Sequence, residues 1–73
     1  MKDDEIKKVI SQNIRMFRAK YNYSQITLAD FANITQTQLS AIENGKIIPK
    51  ISTLAKLAEV FHIPVDDLLK SHF

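Results

Sequence analysis

Gln36 and Thr37 stand together in the polar run Thr35-Gln36-Thr37-Gln38, and both side chains can do the chemistry of base recognition. A glutamine amide can bond an adenine through N6 and N7 at once, and a threonine methyl packs on the methyl of thymine. Ser40 and Ala41 follow about one helical turn later, where Ala41 offers either a methyl to thymine or simple small-residue packing. Gln38 lies three residues after Thr35, so capping a helix is at least as good a use for it as readout. An ordinary solvated helix face would carry the same residues, so the surrounding elements must decide between the two. Other chemistry is poorly supplied. His62 and His72 have no Cys and no further His beside them, so neither a metal nor a cofactor is expected. There is no nucleophile–base pair and no Gly-rich phosphate loop, and the scattered Ser, Thr and Asp serve as caps, which argues against an enzyme.

The elements that must position Gln36 lie between Gln25 and Asn44, QITLADFANITQTQLSAIEN. Leu28, Ala29 and Ala32 fall on one face of a first short helix, and Ile34, Leu39 and Ile42 on one face of a second. Asn33 between them tolerates the left-handed backbone of a tight turn. Ala29 has almost no side chain, so the second helix can cross close over the first. This is the pattern of a helix-turn-helix, whose second helix sends its N-terminal side chains into the major groove.

The rest of the chain supports that pair. Asp3, Asp4 and Glu5 open a first helix at the positive end of its dipole. Ile6, Val9, Ile10, Ile14, Phe17 and Tyr21 recur at helical spacing to about residue 21, where Asn22 ends the helix. Ser24 is an N-cap for a second helix to about Ala32. Thr35 starts the third with Gln38 in a capping-box arrangement, and Gly45, the chain's one glycine, ends it. Residues 46–49 form a loop. A fourth helix begins between Lys50 and Ser52, with Leu54, Leu57, Ala58 and Phe61 inward and His62 at its end. After Ile63-Pro64, residues Val65, Leu68 and Leu69 make a short fifth. No strand pattern, repeat or linker interrupts this, so the expectation is an all-α five-helix bundle forming a single domain over residues 1–73.

Composition agrees. With 73 residues, 45% hydrophobic, the chain suits one small domain; at this size only about 60% of the unfolded surface is buried and stability is marginal. The absence of cysteine fits a reducing cytosol. The apolar runs are too short to span a membrane, and the charged start MKDDEIKK lacks a secretory core, so a cytoplasmic location is expected. Asn22-Tyr23-Ser24 and Asn33-Ile34-Thr35 are therefore chance sequons. Net charge is only +2, but Arg15, Arg18, Lys20, Lys46 and Lys50 flank the Gln25–Asn44 window while only Asp30 and Glu43 oppose them. Flanking bases suit phosphates, and neutral side chains between them suit bases.

From about Ile14 to Leu69, through IRMFR, SQITLADFANITQTQLSAIENGK and STLAKLAEVFHIPVDDLL, the chain resembles the phage-repressor and Cro-type (XRE-like) helix-turn-helix regulators. The resemblance implies a lambda-repressor-like DNA-binding domain in a bacterial or phage-encoded protein. It implies that Gln25 touches a phosphate and braces Gln36, that Asn44, Lys46 and Lys50 contact phosphates, and that Arg18 and Glu43 form a salt bridge joining the first helix to the third. The sequence departs from the family's usual pattern at Asn22 and Asn33, where glycine is common, at Ile26 and Phe31, where charges are common, and at Lys50 and Pro64, where caps are common.

The expected function is sequence-specific binding of double-stranded DNA at a palindromic operator by a homodimer, of the repressor or controller type. Helix 5 and the tail, with Leu69 and Phe73, are the expected dimer surface. The competing expectation is a protein-interaction module such as an antitoxin or an antagonist of another regulator, docking through Ile26, Phe31, Ile47 and Ile48.

Overall fold

The apolar stripe from Ile6 to Phe17 winds into the longest element of the computed structural model, which describes residues 2–73. This is α1, Asp3–Lys20, with Asp3, Asp4 and Glu5 in its first turn and Arg18 and Lys20 in its last, a charge order that complements the helix dipole. It is followed by α2 (Gln25–Phe31), α3 (Gln36–Glu43), α4 (Ile51–Val60) and α5 (Asp66–Leu69). Ser24 Oγ accepts the Thr27 N–H at 3.0 Å and starts α2. Thr35 Oγ1 accepts the Gln38 N–H at 3.0 Å and starts α3. Gln38 contributes its backbone and not its side chain, so the reciprocal half of the expected capping box is not made. At α4 the N-cap is Lys50, which gives no side-chain bond to the first turn.

Four helices end in one way. Asn22, Asn33, Gly45 and His62 are left-handed, with φ of 57°, 55°, 67° and 56°. Each donates its N–H to the carbonyl three residues back (Ala19, Asp30, Ile42 and Glu59). The next residue donates to the carbonyl five back (Arg18, Ala29, Ala41 and Ala58). These paired bonds satisfy carbonyls that a helix end would leave orphaned.

α1 packs against α5 and α3, and α2 against α3 and α4. Ile10, Ile14, Leu28, Leu39, Ile42, Leu54, Leu57, Phe61 and Leu68 fill the centre, while Ala29 and Ala32 let α2 and α3 approach. Phe17 stacks on Phe61 with ring centroids 5.5 Å apart, and Tyr21 stacks between Phe61 and Tyr23. The Tyr21 hydroxyl donates to the Phe61 carbonyl at 3.0 Å, tying the end of α1 to the end of α4.

α5 is held by a polar group. Asn13 is fully buried, and its Nδ2 donates to the carbonyls of Leu68 at 2.9 Å and Lys70 at 2.6 Å, with Asp67 at 3.4 Å. These carbonyls close the last helix, which has no left-handed stop. Asn13→Ala is expected to release residues 66–70 at a cost of about 1–3 kcal/mol, the penalty for unsatisfied buried polar groups. Amide hydrogen exchange should then accelerate at Leu68 while the amides of α2 and α3 stay protected. Unchanged exchange at Leu68 would show that packing alone holds α5.

Candidate nucleic-acid interface

Because Ile34, Leu39 and Ile42 turn inward, the first turn of α3 must send Gln36 and Thr37 outward, and both are exposed. Ser40 and Ala41 lie one turn on and are half-buried. Together with Gln25, Asn44 and Lys46, these four side chains line one shallow concavity of about 390 Å³. α2 places Gln25 at the head of this hollow, and the α3 stop at Gly45 brings Asn44 and Lys46 to its rim. The Asn44 Nδ2 donates to Ser40 Oγ at 3.3 Å, which orients both along the helix. Lys50 is not in the lining. It is exposed at the N-terminus of α4.

Behind the hollow lies a buried polar cluster. The Arg18 guanidinium grips Glu43 with two bonds, Nε to Oε2 and Nη2 to Oε1, each 2.8 Å. Its Nη1 donates to the Tyr23 carbonyl at 3.1 Å, so all three guanidinium nitrogens face the protein. The Glu43 side chain is 3% exposed and that of Arg18 25%. The pair joins α1 to α3 and, through Tyr23, to the α1–α2 turn. Paired, bidentate hydrogen bonding is what makes a carboxylate tolerable at this depth.

Gln25 does not hold Gln36. Its Nε2 donates to Glu43 Oε1 at 3.2 Å, so the expected brace between the two glutamines is replaced by an anchor on the buried carboxylate. The reason is electrostatic, since a carboxylate is a stronger acceptor than a neutral amide.

On the opposite flank, Leu69 is 39% and Phe73 73% exposed. Leu69 shares an apolar groove of about 250 Å³ with Ile6, Val9 and Ile10 of α1. Ile6 and Val9 are half-buried and extend the apolar surface beside α5. Ile26 and Phe31 are each 59% exposed, and Phe31 packs edge-on against Tyr23 at 5.3 Å. Ile47 and Ile48 are exposed as well. His72 lies edge-on to Phe17 and His62 forms the α4 stop, so each has a structural position. No helix among the described residues is long and apolar enough to cross a membrane.

Known proteins share this architecture. Residues 14–68 match the family described as Helix-turn-helix (HTH_3). The SPbeta prophage-derived uncharacterized HTH-type transcriptional regulator YonR of Bacillus subtilis is 34% identical over 62 residues; the match covers 85% of this chain and 57% of YonR, so the chain spans little more than half of that relative. Control protein C.SmaI of Serratia marcescens is 31% identical, over 89% of this chain and 77% of that protein. The crystal structure of the hypothetical transcription factor NHTF from Neisseria superposes with a TM-score of 0.89 at 25% identity, covering 99% of this chain and 83% of that one.

Proposed function

Because the chain belongs to the Helix-turn-helix family of DNA-binding transcriptional regulators, which are not enzymes, we propose that a homodimer of it reads a palindromic operator with α3 in the major groove. The observation that carries this reading is the single hollow in which Gln36, Thr37, Ser40 and Ala41 face outward together, rimmed by Gln25, Asn44 and Lys46. The four α3 side chains supply the donors, acceptors and methyls that base edges require. Gln25, Asn44, Lys46 and Lys50 hold the phosphates on either side, in the cytoplasm where the DNA is. Lys50 is the informative member. A cation at a helix N-terminus opposes the dipole, whereas a phosphate there would satisfy both the lysine and the uncapped amides of α4.

Selection of bound duplexes from a random pool is the direct test. A consensus with two-fold symmetry is expected, its half-sites about one helical turn apart. Recovery of no consensus at moderate salt would overturn the reading. Lys46→Ala and Lys50→Ala should fold normally and weaken binding to all sequences alike, each lowering the salt slope of log K by about 1. An altered sequence preference in either would mean that the lysine reads bases or DNA shape.

Leu69, Phe73 and the neighbouring groove of Ile6 and Val9 form the dimer face in this reading. Sedimentation should show a dimer at micromolar concentration and a monomer for Leu69→Asp. A wild-type monomer at high micromolar concentration, with non-cooperative DNA binding, would contradict it. The exposure of Ile26 and Phe31 favours a second reading, in which the same fold docks a protein partner as an antitoxin or antagonist.

A further inference from the structure

We propose that the hollow between the C-terminal ends of α2 and α4 is a contact surface for a second copy of this chain. The two copies pair about a two-fold axis, so that Phe31 of each enters the hollow of the other. This contact stands apart from the reading of α3, because it uses none of the DNA-facing residues.

The hollow is a product of two helix stops. α2 and α4 pack together, and the left-handed residues Asn33 and His62 turn the chain away from both beside the same space. That space is about 490 Å³, larger than the hollow beside Gln36. Tyr23 and Phe31 form one wall, edge to face with ring centroids 5.3 Å apart. Tyr23 is also stacked on Tyr21 at 5.6 Å, so the wall is built before anything binds and little side-chain entropy is lost on contact. Phe31 is 59% exposed, which leaves most of an aromatic ring in water. An exposed ring beside a hollow that can admit a ring is a knob and a hole on one patch.

The rim determines which partner fits. Lys56 and Glu59 lie about one turn apart on α4 at its edge, both exposed. The salt bridges among the described residues are Arg18–Glu43 and Lys70–Asp67, so these two charges are left for an outside group. A partner of one predominant charge would be attracted by one of them and repelled by the other. A second copy related by a two-fold axis sets its Glu59 against Lys56 and its Lys56 against Glu59, which satisfies both. The surface stays open in the DNA-bound dimer, since it shares no residue with the hollow beside Gln36 or with the groove at Leu69. Its eight lining residues fall well short of the roughly 20–30 a side of a stable interface, so copies meet through it at roughly millimolar concentration. Such a contact acts where dimers are already held close together.

The test uses the full chain carrying Leu69→Asp, which removes the other apolar face. Amide NMR shifts of the isotope-labelled protein are followed from micromolar to millimolar concentration. Shifts that depend on concentration should appear at Phe31, Asn33, Glu59 and His62. Lys56→Glu and Glu59→Lys, added separately at these exposed positions, should leave the fold intact. Each alone sets like charges opposite one another and should weaken association roughly tenfold or more. Mixing the two variants should restore it, because the carboxylates of one then face the ammonium groups of the other. Phe31→Ser should abolish association. Ile26→Ser, at an equally exposed residue of α2 outside the hollow, should not. Absence of association at millimolar concentration overturns the proposal and leaves the patch to a foreign protein. Two charge variants that stay apart when mixed, or a Phe31→Ser chain that still associates, overturn it equally. Failure of the DNA reading looks different, since random-pool selection would then return no consensus while these shifts remain.

Discussion

Arg18→Ala and Glu43→Ala are expected to lower the melting temperature by about 8 °C or more, with the arginine variant the more severe. Breaking a buried ion pair by removing one partner costs about 3–5 kcal/mol, because the remaining charge is left uncompensated. The two variants strand different charges. Arg18→Ala leaves the Glu43 carboxylate almost fully buried, with only the Gln25 amide to bond it, and the full range applies. Glu43→Ala leaves a guanidinium that is a quarter exposed and still bonded to the Tyr23 carbonyl, so its charge can reach water. There we expect about 2–3 kcal/mol. In a domain of this size 1 kcal/mol shifts the midpoint by about 4–8 °C, which places both losses within easy reach of thermal unfolding followed by circular dichroism. If both variants melt like the parent, the pair contributes no net stability. If the glutamate variant is the worse, the cost lies in lost packing rather than in a stranded charge.

The largest expected effect on function is that of Gln36→Ala. The residue is exposed in the first turn of α3 and touches nothing in the core, so the variant should fold and melt like the parent. It should lose roughly ten- to hundredfold affinity for the operator, since a bidentate contact discriminates by about 1–3 kcal/mol and 1.4 kcal/mol is one decade. Nonspecific binding, carried by the lysines, should persist. The loss should be confined to one base pair in each half-site, where substitutions cease to matter to the variant. Titration of both proteins against operators varied one pair at a time measures this. Equal losses at every position, or none, would remove Gln36 from the reading set and leave specificity to Thr37 and Ala41.

Much of the fold is legible because its boundaries depend on local chemistry. Ser24 and Thr35 cap the helices they precede, and Asn22, Asn33 and Gly45 end the helices they follow, for reasons contained within a few residues of each. His62 was legible as an end but not as a left-handed residue, since histidine carries a weaker preference than asparagine or glycine. Asn13 left a readable sign that sequence reading passed over: it is a polar residue on the apolar stripe, three after Ile10 and four before Phe17. What it holds was beyond reach, because its acceptors lie at the other end of the chain. The gathering of candidate residues into one hollow follows from the α2–α3 crossing, which the small Ala29 already suggested. The anchoring of Gln25 on Glu43 depends on how deep that crossing puts the carboxylate, and no spacing rule encodes depth.

The four matching helix stops also bear on how fast the chain reaches this fold. Every bond in them spans no more than five residues, so α1 to α4 can acquire their limits before any distant contact forms. Helical chains dominated by such short-range contacts fold in roughly microseconds to milliseconds. The capture of the last helix by Asn13 is another kind of event. It closes a loop of 54 to 57 residues and must wait for the entropy of that closure to be met by packing. Substitutions at Asn22, Asn33 or Gly45 should therefore slow folding, whereas substitution of Asn13 should leave the folding rate nearly unchanged and hasten unfolding.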